Sequence, residues 1–64
     1  MSGHIVAFDP VVGLGQVAAA DGTTYPFHCI EIADGTRDIP VGAAVTFELL
    51  GKLGRYEAAN IARA

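Results

Sequence analysis

The chain has 64 residues, of which 52% are hydrophobic and 17% charged, and seven acidic residues against four basic ones give a net charge of −3 at pH 7. So short a chain has room for one domain, placed at residues 1–64, and little volume for a deep catalytic pocket. The acidic balance argues against tight nucleic-acid binding, because nucleic-acid binders usually present a basic surface that displaces condensed counterions.

Glycine and proline interrupt the sequence at short intervals and leave only strand-length segments between them. This spacing is typical of a small all-β barrel or sandwich. The expected strands, in chain order, are residues 3–8, 14–20, 23–29, 43–50 and 55–62. The second and third strands form the clearest hairpin, because Asp21-Gly22 between them favours a tight turn.

Alternation of side chains along a strand predicts which residues form the core. Two apolar rows result, Tyr25, Phe27 and Cys29 in the third strand and Val45, Phe47 and Leu49 in the fourth. The last segment, 55–62, is ambiguous, because its alanines favour a helix. On local propensity alone it would be a short helix.

The apolar stretches of the sequence are only a few residues long, whereas crossing a bilayer takes about 20 consecutive apolar residues. No basic segment followed by an apolar one opens the sequence, so we expect a cytoplasmic protein without membrane contact. The single cysteine, Cys29, cannot form an internal disulfide, which agrees with a reducing compartment.

Several groups of residues follow one another in an order that resembles the bacterial cold-shock proteins. They are Gly3-His4-Ile5-Val6-Ala7-Phe8-Asp9, Gly13-Leu14-Gly15-Gln16-Val17, Tyr25-Pro26-Phe27-His28, then Gly42, Val45 and Phe47, and last Ala58-Ala59-Asn60-Ile61. The resemblance runs the length of the chain. It implies a small five-stranded antiparallel barrel of the OB-fold type, and it turns the ambiguous last segment into a strand.

The resemblance also implies a cold-shock-like module that binds single-stranded DNA or RNA across its second and third strands by stacking bases on aromatic side chains. The sequence departs from the family at most stacking positions. Ala7, Leu14, Gln16, Pro26 and Cys29 stand where the family has aromatic residues, and Val12 stands where it has a basic one. Each lost stacked base costs about 1 to 3 kcal/mol, so only weak binding is expected.

The residues that remain for nucleic-acid contact are of three kinds. An aromatic residue and a histidine can stack on bases, two residues occupy former aromatic positions, and three loop cations can reach phosphates. These are Phe8 and His28, Leu14 and Gln16, and Arg37, Lys52 and Arg55. Each has an ordinary alternative: Phe8 as a core residue at the end of the barrel, His28 as an unpaired surface histidine, and the cations as solvated turn residues.

An apolar stretch at Val11-Val12-Gly13-Leu14 supports a second function. Exposed contiguous apolar surface usually marks an interface. A cold-shock-like barrel that has lost nucleic-acid binding would contact another protein or a second copy of itself through Val12, Leu14 and Gln16. The alternative is that Val11 folds back over the open end of the barrel.

The residue pattern favours a binding module without cofactor or metal, and not an enzyme. Adjacent strand residues project to opposite faces, so His28 and Cys29 cannot form a catalytic dyad. Two histidines and one cysteine without paired ligand spacing argue against a zinc site. Gly13 and Gly15 lead into a strand and not a helix, which favours a bend over a phosphate-binding loop.

The first strand contains a conflict. Strict alternation places Ile5 and Ala7 on one face and Phe8 on the other, whereas the resemblance places Ala7 and Phe8 near the same surface. A β-bulge or a strong curl in this strand would reconcile the two.

Overall fold

Five strands and one short 3-10 helix make up the computed structural model, which describes residues 1–64. In chain order they are β1 (Ser2–Asp9), β2 (Leu14–Ala19), β3 (Thr24–His28), the 3-10 helix Cys29–Glu31, β4 (Ala44–Lys52) and β5 (Arg55–Arg63). All five expected strands are present, with ends displaced by no more than two residues. No helix is long and apolar enough to cross a membrane.

The strands form one antiparallel sheet in the order β3-β2-β1-β4-β5, so the fold is all-β. The sheet is not closed, because no ladder joins β3 to β5. The segment that follows β3 nevertheless reaches β5. There the N–H of Ala33 donates to the carbonyl of Ile61 over 2.7 Å, and Ile32 forms a single parallel bridge with Ile61.

A bulge in β1 decides which of its residues face the core. Ile5 pairs with Val17 and Ala7 pairs with Gln16, so Val6 is an extra residue on β1. Of the two alternatives expected for this strand, a bulge or a strong curl, the bulge is present. Past it the alternation shifts by one, so that Phe8 packs against the core and Ala7 is exposed.

A second bulge explains the ambiguous last segment. Between two cross-strand pairs with β4, β5 carries one residue more than β4. Asn60 has a φ of 50°, a left-handed conformation that asparagine adopts more readily than most residues. As a result Ala58 and Ile61, three positions apart, are both buried. Pairing with β4 thus overrides the helical propensity of the alanines.

The core consists of ten buried apolar residues drawn from all five strands and from the connection between β3 and β4. They are Ile5, Val17, Ala19, Phe27, Ile32, Ile39, Val45, Phe47, Ala58 and Ile61. Tyr25 is half-buried, with its ring centroid 6.0 Å from that of Phe47. Five of the six residues in the two expected rows therefore belong to the core or pack against it.

Two residues of the expected core rows, Leu49 and Cys29, are placed differently in the structure. Leu49 is 36% exposed, because β4 pairs with β1 only through Ala44–Thr46 and its later residues extend past that strand. Cys29 lies in the 3-10 helix and not in β3, half-buried against the edge of the core.

Two aspartates stabilise turns by accepting backbone hydrogen bonds. The N–H of Thr23 donates to Asp21 Oδ1 over 2.9 Å, and the N–H of Thr36 donates to Asp34 Oδ1 over 3.0 Å. Hydrogen bonds from the backbone and then the side chain of these threonines lower the pKa of both carboxyls from the ordinary value of 3.8. The charged carboxylates therefore favour the folded state.

This pKa shift predicts an acid dependence of stability. A carboxyl whose pKa is lowered by folding contributes stability above its unfolded pKa, and the contribution is lost as the pH falls through the folded value. We expect the free energy of unfolding to fall as the pH drops below about 5 and through the folded pKa values, which lie below 3.8. Urea denaturation should show a smaller fall in the Asp21→Asn, Asp34→Asn double variant, and an equal fall in both proteins would contradict the role of these turns.

Candidate functional site

Two cross-strand rows form the solvent-facing side of β1, β2 and β3 at one end of the sheet, and we call this surface the outer face. The rows are Ala7, Gln16 and Pro26, and Asp9, Leu14 and His28. Five of the six residues are exposed and Pro26 is half-buried. Three of the predicted site residues, Leu14, Gln16 and His28, therefore share one surface.

Phe8 lies at the same end of the sheet but on its inner side. It is opposite Gly15, which is in turn opposite Phe27. The rings of Phe8 and Phe27 stack, with centroids 6.0 Å apart and planes inclined by 4°. Phe8 is half-buried. This position lies between the two roles considered from the sequence, an exposed stacking residue and a core residue.

Gly15 makes this ring arrangement possible. A Cβ on Gly15 would lie 2.5 Å from Phe27 Cζ and 2.8 Å from the carbonyl oxygen of Ala7. No side chain fits between the two rings at this position. The glycine therefore serves core packing, which is a different role from the bend expected from the sequence.

An open cavity of about 280 Å³ lies where β1 and β2 meet at this end. Its lining residues are Ala7, Phe8, Asp9, Leu14, Gly15 and Gln16. Phe8 and Leu14 supply apolar walls, while Asp9 and Gln16 supply the only polar side chains.

Asp9 also shapes the loop between β1 and β2. Its Oδ1 accepts hydrogen bonds from the N–H of Val11 over 3.0 Å and of Val12 over 3.4 Å, and its carbonyl accepts one from the N–H of Gly13 over 2.7 Å. The loop backbone is thereby satisfied locally, and the valine side chains project into solvent, 94% exposed for Val11 and 63% for Val12. Val11 does not fold back over the end of the sheet, which corrects that alternative.

The three predicted cations lie away from the cavity. Lys52 and Arg55 pair across the tip of the β4–β5 hairpin, which extends past the N-terminal end of β1, whereas the cavity lies at the C-terminal end of β1. Arg55 lies 3.8 Å from Glu57, an exposed pair of little energetic weight. Arg37 is exposed in the connection between β3 and β4. The structure thus groups Phe8, Leu14, Gln16 and His28, but not the cations.

Sequence reasoning missed two residues that line cavities. From the sequence, Asp9 was only the last residue of the first stretch that carries the resemblance. Tyr56 is 60% exposed and stands opposite Gly51 at the hairpin, beside a second cavity of about 330 Å³ that Lys52 and Arg55 also line. The signal for Tyr56, an aromatic residue opposite a glycine, becomes visible only when the hairpin register is known.

Two further findings bear on the site. No group of three or more His, Cys, Asp or Glu side chains lies close enough together to hold a metal ion. The chain matches no protein-family model, and no curated protein matches its sequence. The cold-shock resemblance therefore stays a prediction from the residues that carry it.

Proposed function

We propose that the chain is a non-catalytic module of cold-shock type that binds single-stranded nucleic acid weakly through the outer face. The observation that carries this proposal is the open cavity lined by Phe8, Leu14 and Gln16, with His28 opposite Leu14 in the next strand. Strands two and three of small five-stranded barrels are where oligonucleotides bind in this fold class. The cavity borders that surface, because three residues of the second strand line it.

A partly open barrel of the OB-fold type is part of the proposal. Both bulges increase the curl of the sheet. The hydrogen bond from Ala33 to Ile61 brings the segment after β3 against β5, and the ten core residues lie inside the resulting curve. These features support a barrel that stays open along part of its seam.

Electrostatics keep the affinity low. The net charge is −3, and Asp9 is the only charged residue that lines the cavity. Since no lysine or arginine lies in the outer face, base contacts and not phosphate contacts must supply most of the binding energy. With about 1 to 3 kcal/mol for each stacked base, we expect dissociation constants on the order of 100 µM.

Replacing His28 by alanine is expected to weaken binding of a labelled mixed-pyrimidine oligonucleotide about three- to tenfold, because an exposed ring beside the cavity is lost. The measurement is fluorescence anisotropy at low salt. His28 is exposed, so the free energy of unfolding should change by less than about 0.5 kcal/mol.

The matched control is His4→Ala. His4 is also exposed, but it pairs with Ala18 near the N-terminal end of β1, whereas His28 pairs with the cavity residue Leu14. This variant should bind as the wild type does. If His28→Ala, His4→Ala and the wild type bind equally, His28 is not part of the contact.

A second candidate function is self-association or protein contact through Val12, Leu14 and Gln16. The exposure of Val12, and of Leu14 at 44%, favours it. Sedimentation velocity at low and high protein concentration tests this function. A dimer that persists at high salt and that Leu14→Glu disperses would support it, and a monomer at all concentrations would rule out self-association.

A further inference from the structure

We infer that the cavity selects bases that carry an exocyclic amino group, and in particular cytosine over uracil. The inference rests on the proposed nucleic-acid binding and names the ligand class of that same site. It follows from the polar groups that line the cavity, the Asp9 carboxylate and the Gln16 amide.

The Asp9 carboxylate is fixed and partly unused. Oδ1 accepts the backbone hydrogen bonds of Val11 and Val12, which hold the group in place at the C-terminal end of β1. Oδ2 accepts no hydrogen bond within the chain, and no cation lies within salt-bridge distance of Asp9. Asp9, which lines the cavity, thus offers an anchored carboxylate with one oxygen that has no partner in the chain.

A fixed carboxylate distinguishes the two bases by the atom at position 4. Cytosine carries an N4 amino group, a donor that Asp and Glu side chains accept. Uracil carries an oxygen there, whose lone pairs would face those of the carboxylate. The Gln16 amide can both donate and accept, so it can form a hydrogen bond with either base. Asp9 is therefore the residue that discriminates between them. Discrimination arises as much from repulsion of uracil as from attraction of cytosine.

The same charge indicates which part of the nucleic acid enters the cavity. A carboxylate repels a phosphate, and no lysine or arginine lines the cavity to offset it. The apolar walls of Phe8 and Leu14 instead match the faces of a base. Asp9 therefore contacts the base and not the phosphate backbone of the nucleic acid.

The test compares labelled oligodeoxycytidine and oligodeoxyuridine of equal length by fluorescence anisotropy at neutral pH and low salt. The two bases differ only along the edge at positions 3 and 4, and neither carries the methyl group of thymine. We expect the wild type to bind oligodeoxycytidine about fivefold more tightly, the ratio for a single modest hydrogen-bond preference.

Asp9→Asn should reduce this preference to about one, mainly by improving binding of oligodeoxyuridine, because the amide can donate to O4. The amide oxygen can still accept the hydrogen bonds of Val11 and Val12. Asp21→Asn is the matched control, since it removes the same charge from a turn of the same kind that lies outside the cavity. The control should keep the wild-type preference.

The possible failures are distinguishable. Equal or tighter binding of oligodeoxyuridine by the wild type, or a cytosine preference that Asp9→Asn leaves unchanged, overturns the inference while nucleic-acid binding stands. Binding of neither oligonucleotide overturns the proposed function itself, and the inference falls with it.

Discussion

Replacing Phe27 by alanine is expected to lower the free energy of unfolding by about 3 to 5 kcal/mol. Phe27 is fully buried, and its ring stacks on that of Phe8 beneath Gly15. The substitution loses the transfer free energy of the ring and leaves a cavity that the curled sheet cannot fill. Since a chain of this size has a total stability of roughly 3 to 10 kcal/mol, the variant should be largely unfolded or close to it.

Urea denaturation followed by far-UV circular dichroism measures this loss. Phe27→Leu, which keeps part of the volume, should retain enough stability for a full transition curve. Leu53→Ala at the tip of the β4–β5 hairpin is the control, because Leu53 is fully exposed and its loss should cost less than about 0.5 kcal/mol. A similar small loss for Phe27→Ala would mean that Phe27 does not pack as described.

Gly15→Ala is expected to destabilise the fold by about 3 kcal/mol although it adds a single methyl group. The new Cβ would lie 2.5 Å from Phe27 Cζ and 2.8 Å from the Ala7 carbonyl oxygen. The Phe27 ring cannot move away from the new methyl group because Phe8 stacks on it. The Ala7 carbonyl is part of the neighbouring strand β1. Either the two rings or the pairing of β1 with β2 must move.

Gly51→Ala provides the comparison for this substitution. Gly51 is also a strand residue, but the nearest atom to an added Cβ is Tyr56 Cε1 at 3.9 Å, an ordinary contact. Since alanine lowers the conformational entropy of the unfolded chain, Gly51→Ala should be neutral or stabilise by up to about 1 kcal/mol. Urea midpoints that are equal for the two alanine variants would show that Gly15 is not required by ring packing.

The first four strands could be predicted from the sequence because turn residues mark their connections, whereas β5, whose alanines favour a helix, was predicted only through the resemblance. Which side of the sheet each side chain occupies was harder to predict in the strands that contain a bulge. In β1 the inward residues are Ile5 and Phe8, and in β5 they are Ala58 and Ile61, each pair three positions apart. That spacing matches a helix better than a regular strand. Only the pairing partners show that an extra residue causes it.

The candidate site was predictable to the extent that it follows strand register. Leu14, Gln16 and His28 share the outer face because alternation in β2 and the hairpin register place them there. The separation of Lys52 and Arg55 from the cavity depends on where β4 begins to pair with β1, which local sequence does not specify. Asp9 was missed because nothing in the local sequence shows that its side chain lines a cavity between β1 and β2.

The central claim is that nucleic acid contacts the outer face. The most direct test places a positive or a negative charge at position 14, in place of Leu14. Leu14 is exposed and stands between Asp9 and His28. Leu14→Lys and Leu14→Glu remove the same apolar side chain but have opposite effects on a phosphate backbone. Any apolar protein contact would suffer from both substitutions alike.

The measurement is an anisotropy titration of one labelled single-stranded oligonucleotide with the wild type and these two variants at low and moderate salt. We predict that Leu14→Lys binds about three- to fivefold more tightly than the wild type with a steeper salt dependence, and that Leu14→Glu binds more weakly. Equal affinities for the lysine and glutamate variants would contradict the account, because they would show that the nucleic acid does not touch this surface.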